Sequence, residues 1–113
     1  MRFEVVEDGA DTMRIAMTGR LDAAGASAIE LPFTATVSGA DKDILLDLSG
    51  VTFLASLGLR VLLAAARVAQ RRGRQIVIYG AQPQAQEVFE TISMESLVPV
   101  ASDEASARAA LAA

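Results

Sequence analysis

The chain has 113 residues, 52% of them hydrophobic, with 14 acids against 10 bases, a net charge of −4 and neither cysteine nor histidine. That excludes disulfides, thiol chemistry and thiolate metal sites, and it removes the commonest general base and the commonest metal ligand. The acidic balance argues against general nucleic-acid binding, and no apolar run reaches the ~18 residues of a membrane span. Met1 to Glu4 have neither the long apolar segment nor the cleavage site of a signal peptide, so the expectation is one cytoplasmic domain over residues 1–113, a binding module and not an enzyme.

Phe3–Val6 and Met13–Thr18 read as two short strands about the turn Glu7–Asp11. In the second, Met13, Ile15 and Met17 alternate with Arg14, Ala16 and Thr18, the period of a half-buried strand, so the pair is expected to form a hairpin that Gly19 ends. Ala24, Ala28, Leu31 and Ala35 then recur at helical spacing; Pro32 should kink or split that helix, and Gly39 to Asp41 close it.

Ile44–Leu48 is nearly all apolar, as a central strand covered on both faces requires. A short polar loop should follow, then a helix over 56–72, with Gly73 just past its end and arginines in its last turn. At about 100° per residue Arg60, Arg67, Arg71 and Arg74 share one face of it, opposite Leu62, Ala65, Ala66 and Ala69. That face is either a solvated exterior or a patch for an acidic protein or a lipid headgroup.

Gln75–Tyr79 reads as another buried strand and Pro83 as the first residue of a helix whose apolar stripe is Ala85, Val88, Phe89 and Ile92. Leu97–Val100 reads as a last strand, at an edge because Pro99 lacks a donor, and Ser102 to Glu104 open a final alanine-rich helix. The order β-β-α-β-α-β-α-β-α predicts an α/β fold: five strands in a mostly parallel sheet, an N-terminal hairpin strand and about four helices.

The stretch 45–63, LLDLSGVTFLASLGLRVLL, delivers a serine to the start of a helix at the carboxyl end of a buried strand, where free N–H groups and the helix dipole favour an anion. Val51 to Leu59 resembles the V-T-F-hydrophobic-D-S-S-G-L loop of the STAS domain in the anti-sigma factor antagonist family. Gly19, Arg20, Leu21 and Asp22 resemble that family's G-x-L-D. The resemblance implies a STAS-like fold and a bacterial partner-switching regulator of transcription, which binds an anti-sigma factor of the serine-kinase type and so releases a sigma factor. In that family the kinase phosphorylates the serine directly before the glycine, and here that position is Leu57, while Ala55 stands where the family has aspartate. The usual switch is therefore expected to be missing.

Ser56 has two readings: a helix cap, or a phosphorylation site in place of the missing serine. Leu57, with Leu54 beside it, would make an apolar knob suited to a permanent contact. Asp22 and Asp47 could form an acid pair or a cation site at the carboxyl edge of the sheet, or could hold loops by accepting backbone N–H bonds; Gly50 and Gly58 read as conformational. No nucleotide-binding motif is present, and no cofactor or metal is expected. The resemblance implies partner binding through Asp22, Leu54, Ser56, Leu57, Gly58 and Arg60, without nucleic acid or membrane insertion, with a homodimer as a candidate assembly. The alternative function is the cytoplasmic STAS subunit of a lipid-transport ABC system.

Overall fold

A computed structural model of the chain describes residues 1–112. Five strands lie in one sheet, in the order β1 (Arg2–Asp8), β2 (Thr12–Leu21), β3 (Asp43–Leu54), β4 (Ile76–Tyr79) and β5 (Val100–Ala101). β1 runs antiparallel to β2, and every later pair is parallel, so the predicted α/β sheet with its N-terminal hairpin is what the chain forms.

The crossover helices α1 (Ala23–Ala40), α2 (Ser56–Arg71) and α3 (Pro83–Thr91) each join neighbouring strands. All three crossovers step the same way across the sheet, and right-handedness therefore puts all three helices on one face. The main core lies between them and Ile15, Met17, Ile44, Leu46 and Ile78, with Phe33, Leu62 and Phe89 inserted from the helices. The last helix, α4 (Glu104–Ala112), makes no crossover and covers the other face, where Leu45, Val77, Tyr79 and Ala107 form a second, smaller core. Among the described residues no helix is long and apolar enough to cross a membrane.

Local chemistry explains where the elements begin and end. Asp22 caps α1, its Oδ1 accepting from the Gly25 N–H at 2.9 Å, and Asp103 caps α4 through the Ser106 N–H at 2.8 Å. Gly73 (φ +76°) ends α2 as predicted: its N–H donates to the Gln70 carbonyl and that of Arg74 to the Ala69 carbonyl, the paired bonds of a Schellman cap.

Several expectations are corrected. Gly19 does not end β2, which runs on to Leu21. α1 is one continuous helix through Pro32, so the proline does not split it; the ring stands in solvent, and the Pro32 carbonyl accepts from the Thr36 hydroxyl at 2.8 Å. The buried stripe of α1 is Gly25, Ala26, Ile29, Phe33 and Val37, whereas Leu31 is 81% exposed. The alanine spacing picked the wrong face because alanine's small apolar surface makes it indifferent to burial.

The polar loop after Leu48 does not exist: β3 continues through Val51–Leu54 beside Gly19–Leu21. α2 ends at Arg71, which leaves Arg74 outside the helix and paired with Asp41 at 3.4 Å. Ile92 caps α3 and is exposed, while Leu97 lies before a two-residue β5 that begins only after Pro99, at the sheet edge.

Candidate functional site

The site is built where β2 and β3 end and α1 and α2 begin. Two glycines bring these four ends together. A methyl group added at Gly25 would come within 2.1 Å of the Arg20 carbonyl oxygen, and one added at Gly58 within 2.3 Å of the Leu21 carbonyl oxygen and 2.5 Å of Leu21 Cγ. Any side chain at either position would push a helix N-terminus off the end of β2, so both glycines serve close approach, not an unusual φ. The Ala55 N–H donates to the Leu21 carbonyl at 3.0 Å, which ties the turn into α2 to the same strand end.

β3 outruns its neighbour here, since β4 pairs only with Ile44 to Asp47. The free side of the β3 backbone is taken up by two glutamine amides at the start of α3, Gln82 at its cap position and Gln84 in its first turn. Gln84 clamps Leu54 in both directions, accepting from its N–H at 2.7 Å and donating to its carbonyl at 2.9 Å, and Gln82 donates to the Ser49 carbonyl at 2.8 Å. Both side chains thus stand in for a strand.

Ser56 is the first residue of α2 and does not cap it. The cap position belongs to Ala55 (φ −117°, ψ 175°), whose methyl accepts nothing, and Ser56 lies exposed on the helix surface. Leu54 is 1% exposed and part of the core, so it cannot join an apolar knob; Leu57, 42% exposed, stands there alone. Beside it lies a depression of only about 40 Å3, lined by Ala23, Ser27, Glu30, Leu57, Arg60 and Val61. Ligand pockets hold several hundred Å3, so this surface suits contact with a macromolecule rather than enclosure of a metabolite.

Asp22 belongs to this edge. The Gly25 N–H, with Arg20 assisting, holds its carboxyl below the ordinary aspartate range. Arg20 is the residue the sequence did not single out: its Cζ lies 4.5 Å from the centroid of the Phe53 ring, and its Nε lies 3.4 Å from Asp22 Oδ2. The signal was present in the alternation of β2 and β3, which sets Arg20 opposite Phe53, but it required knowing that both strands extend this far.

Asp47 does not belong to it. It sits in the middle of β3, with its Oδ1 accepting from the Ser49 N–H at 2.9 Å and its Oδ2 3.8 Å from Arg14 on the α4 face. The backbone-holding reading is thus the one both aspartates follow. Arg60 projects from the outer face of α2, and Gly58 lies beneath the site against β2.

Comparison with known proteins gives a consistent set. A family model described as Mlab, STAS domain matches residues 5–99. A protein of Bordetella bronchiseptica named as an anti-sigma factor antagonist, BtrV, is 33% identical over 109 residues, covering 96% of this chain and 94% of its own. Among solved structures, an anti-sigma factor antagonist from Mycobacterium paratuberculosis superposes with a TM-score of 0.84 at 20% identity, over 99% of this chain and 96% of that one. An anti-sigma-factor antagonist (STAS) domain protein from Planctomyces limnophilus gives 0.83 at 21% identity, over 98% of both.

Proposed function

The chain belongs to the STAS domain family, as a homologue of anti-sigma factor antagonists, and on that premise we propose that it is a non-enzymatic interaction module that binds an anti-sigma factor of the serine-kinase type and releases a sigma factor without a serine phospho-switch. The observation that carries this reading is Leu57: exposed at the start of α2, directly before the buried Gly58, and without a hydroxyl to modify. In this reading Asp22, Ser56, Leu57 and Arg60 form the docking surface, together with Arg20 and Phe53 beside Asp22. Leu54 and Gly58 contribute from below, by holding the strand and the helix in place.

A phosphorylated serine lets one added charge dissolve a complex, and leucine closes that route. In exchange it offers apolar surface whose full burial is worth about 1.5–3 kcal/mol. Leu57→Asp, titrated calorimetrically against a partner recovered by pull-down, is expected to weaken binding by about tenfold or more, because a carboxylate enters a dry contact unpaired. Unchanged affinity would remove this loop from the interface.

A second reading is favoured by the same missing hydroxyl: the STAS subunit of a lipid-transport ABC system. Co-purification with a transporter permease instead of a kinase decides for it.

A further inference from the structure

The basic side chains divide sharply by their surroundings. Arg14, Arg20, Lys42, Arg74 and Arg108 each lie within ion-pair distance of a carboxylate. Among the described residues Arg2, Arg60, Arg67, Arg71 and Arg72 have no such partner; all five are exposed, and the last four fall in one stretch. The sequence explains why: no acid occurs between Leu48 and Gln86, and no base between Gln75 and Ala107. The chain therefore carries a purely basic α2 followed by a purely acidic α3 and its 3-10 turn at Met94–Ser96.

The geometry puts both on one surface. α2 buries Val61, Leu62, Ala65, Ala66 and Ala69; at about 100° per residue Arg60, Arg67 and Arg71 point directly away from them. α3 buries Ala85 and Phe89; Glu87 points directly away from them and Glu90 lies to one side, both exposed. Both helices cover the same face of the sheet in successive crossovers, so the arginines of α2 and the glutamates of α3 stand on the outer surface of one layer. The carboxyl end of α2 and the segment after the 3-10 turn are joined by Gln70 Nε2 donating to the Leu97 carbonyl at 3.3 Å. Near the acidic line lie two exposed apolar side chains, Ile92 at 38% and Leu97 at 50%.

We propose that this surface pairs two copies of the chain. Two parallel lines of opposite sign are self-complementary: a two-fold axis running along the helices, between the lines, sets each arginine line against the other copy's glutamate line. The contact is isologous and closes as a dimer. Arginine suits it, since its planar fork engages a carboxylate through two N–H groups. Ile92 and Leu97 supply apolar surface to bury beside the ion pairs. The pairs are solvent-accessible, so the dimer is weak and depends on ionic strength. Arg60 lies both on this line and in the docking surface proposed above, so self-association and partner binding compete for it.

Analytical ultracentrifugation of the full chain tests the proposal without a partner, and its failure would leave the partner-binding reading untouched. The wild type is expected to sediment at twice its 11.8 kDa mass at low salt and to return to that mass at high salt, with the dissociation constant rising about tenfold or more between about 0.05 M and 1 M NaCl. Arg67→Glu with Arg71→Glu reverses two of the three arginines of that line, and Glu87→Arg with Glu90→Arg makes both lines basic; each double variant is expected to be monomeric with an unchanged circular dichroism spectrum. Mixed in equal amounts, the two variants are expected to form a heterodimer, which no loss of folding could produce. A wild type that stays monomeric at low salt overturns the proposal. So does a dimer indifferent to either reversal, or a mixture that fails to associate.

Discussion

At the residue scale the helix start at Ala55 to Gly58 shows how one position changes a role. A serine at the first helical position cannot reach back to the free N–H groups as a cap does, because its own backbone is already helical. Ser56→Ala is therefore expected to change stability by less than about 0.5 kcal/mol, measured by denaturant unfolding. The neighbouring change has the opposite expectation. Ala55 holds the extended backbone of a cap without an acceptor, so Ala55→Asp is expected to stabilise the protein by about 1 kcal/mol, the worth of an ordinary cap. If Ser56→Ala proves as costly as a lost cap and Ala55→Asp brings nothing, the assignment of the cap position is wrong.

At the scale of elements, the site depends on how closely two helices approach the end of one strand. Gly58→Ala would place a methyl inside the Leu21 backbone, forcing α2 to shift. The expected cost is about 1–3 kcal/mol, typical of overpacking, together with weakened partner binding. Gln84→Ala acts from the other side. It leaves the Leu54 N–H and carbonyl without partners in a half-buried setting, for an expected loss of about 1–3 kcal/mol. Faster amide exchange at Leu54 in that variant, with the rest of β3 still protected, would show that the glutamine holds the strand end specifically. Neither glycine nor glutamine carries chemistry, yet both set where Leu57 and Asp22 stand.

At the scale of the whole molecule, the pattern of titratable groups fixes the response to pH. Asp22 and Asp103 are both held below the ordinary aspartate range, each chiefly by the backbone N–H it caps. A carboxyl depressed on folding stabilises above its unfolded pKa of about 3.9, and the contribution is lost as pH falls through the folded value. Tyr79 is shifted the other way, raised mainly by burial beneath α4. Its contribution is present below the unfolded value of about 10 and is lost as pH rises through the folded one. With no histidine in the chain, melting temperature is expected to stay level from about pH 5 to 9 and to fall at both ends. Asp22→Asn should lessen the fall on the acid side, because the remaining amide does not titrate; an undiminished fall would assign acid unfolding to other groups.

By itself the sequence determined the architecture, the order of elements, the hairpin, the Schellman end of α2 and the family. Each of these rests on local periodicity, on glycine or proline conformation, or on a contiguous motif that any chain of these residues carries. It also located the junction at Ser56 to Gly58 and the missing hydroxyl at Leu57. Only the tertiary structure decided which face of α1 is buried, because alanine reads alike inside and outside, while Ile29, Phe33 and Val37 needed a sheet to bury against. It decided that Leu54 is core and Leu57 surface, although the two leucines lie three residues apart, because β3 runs six residues past Leu48, through the predicted loop. It brought Arg20 onto Phe53 and Gln84 onto Leu54, partners 33 and 30 residues apart. Contacts at that separation depend on strand register and helix placement, which are set by packing the whole core and leave no trace in any local window of residues.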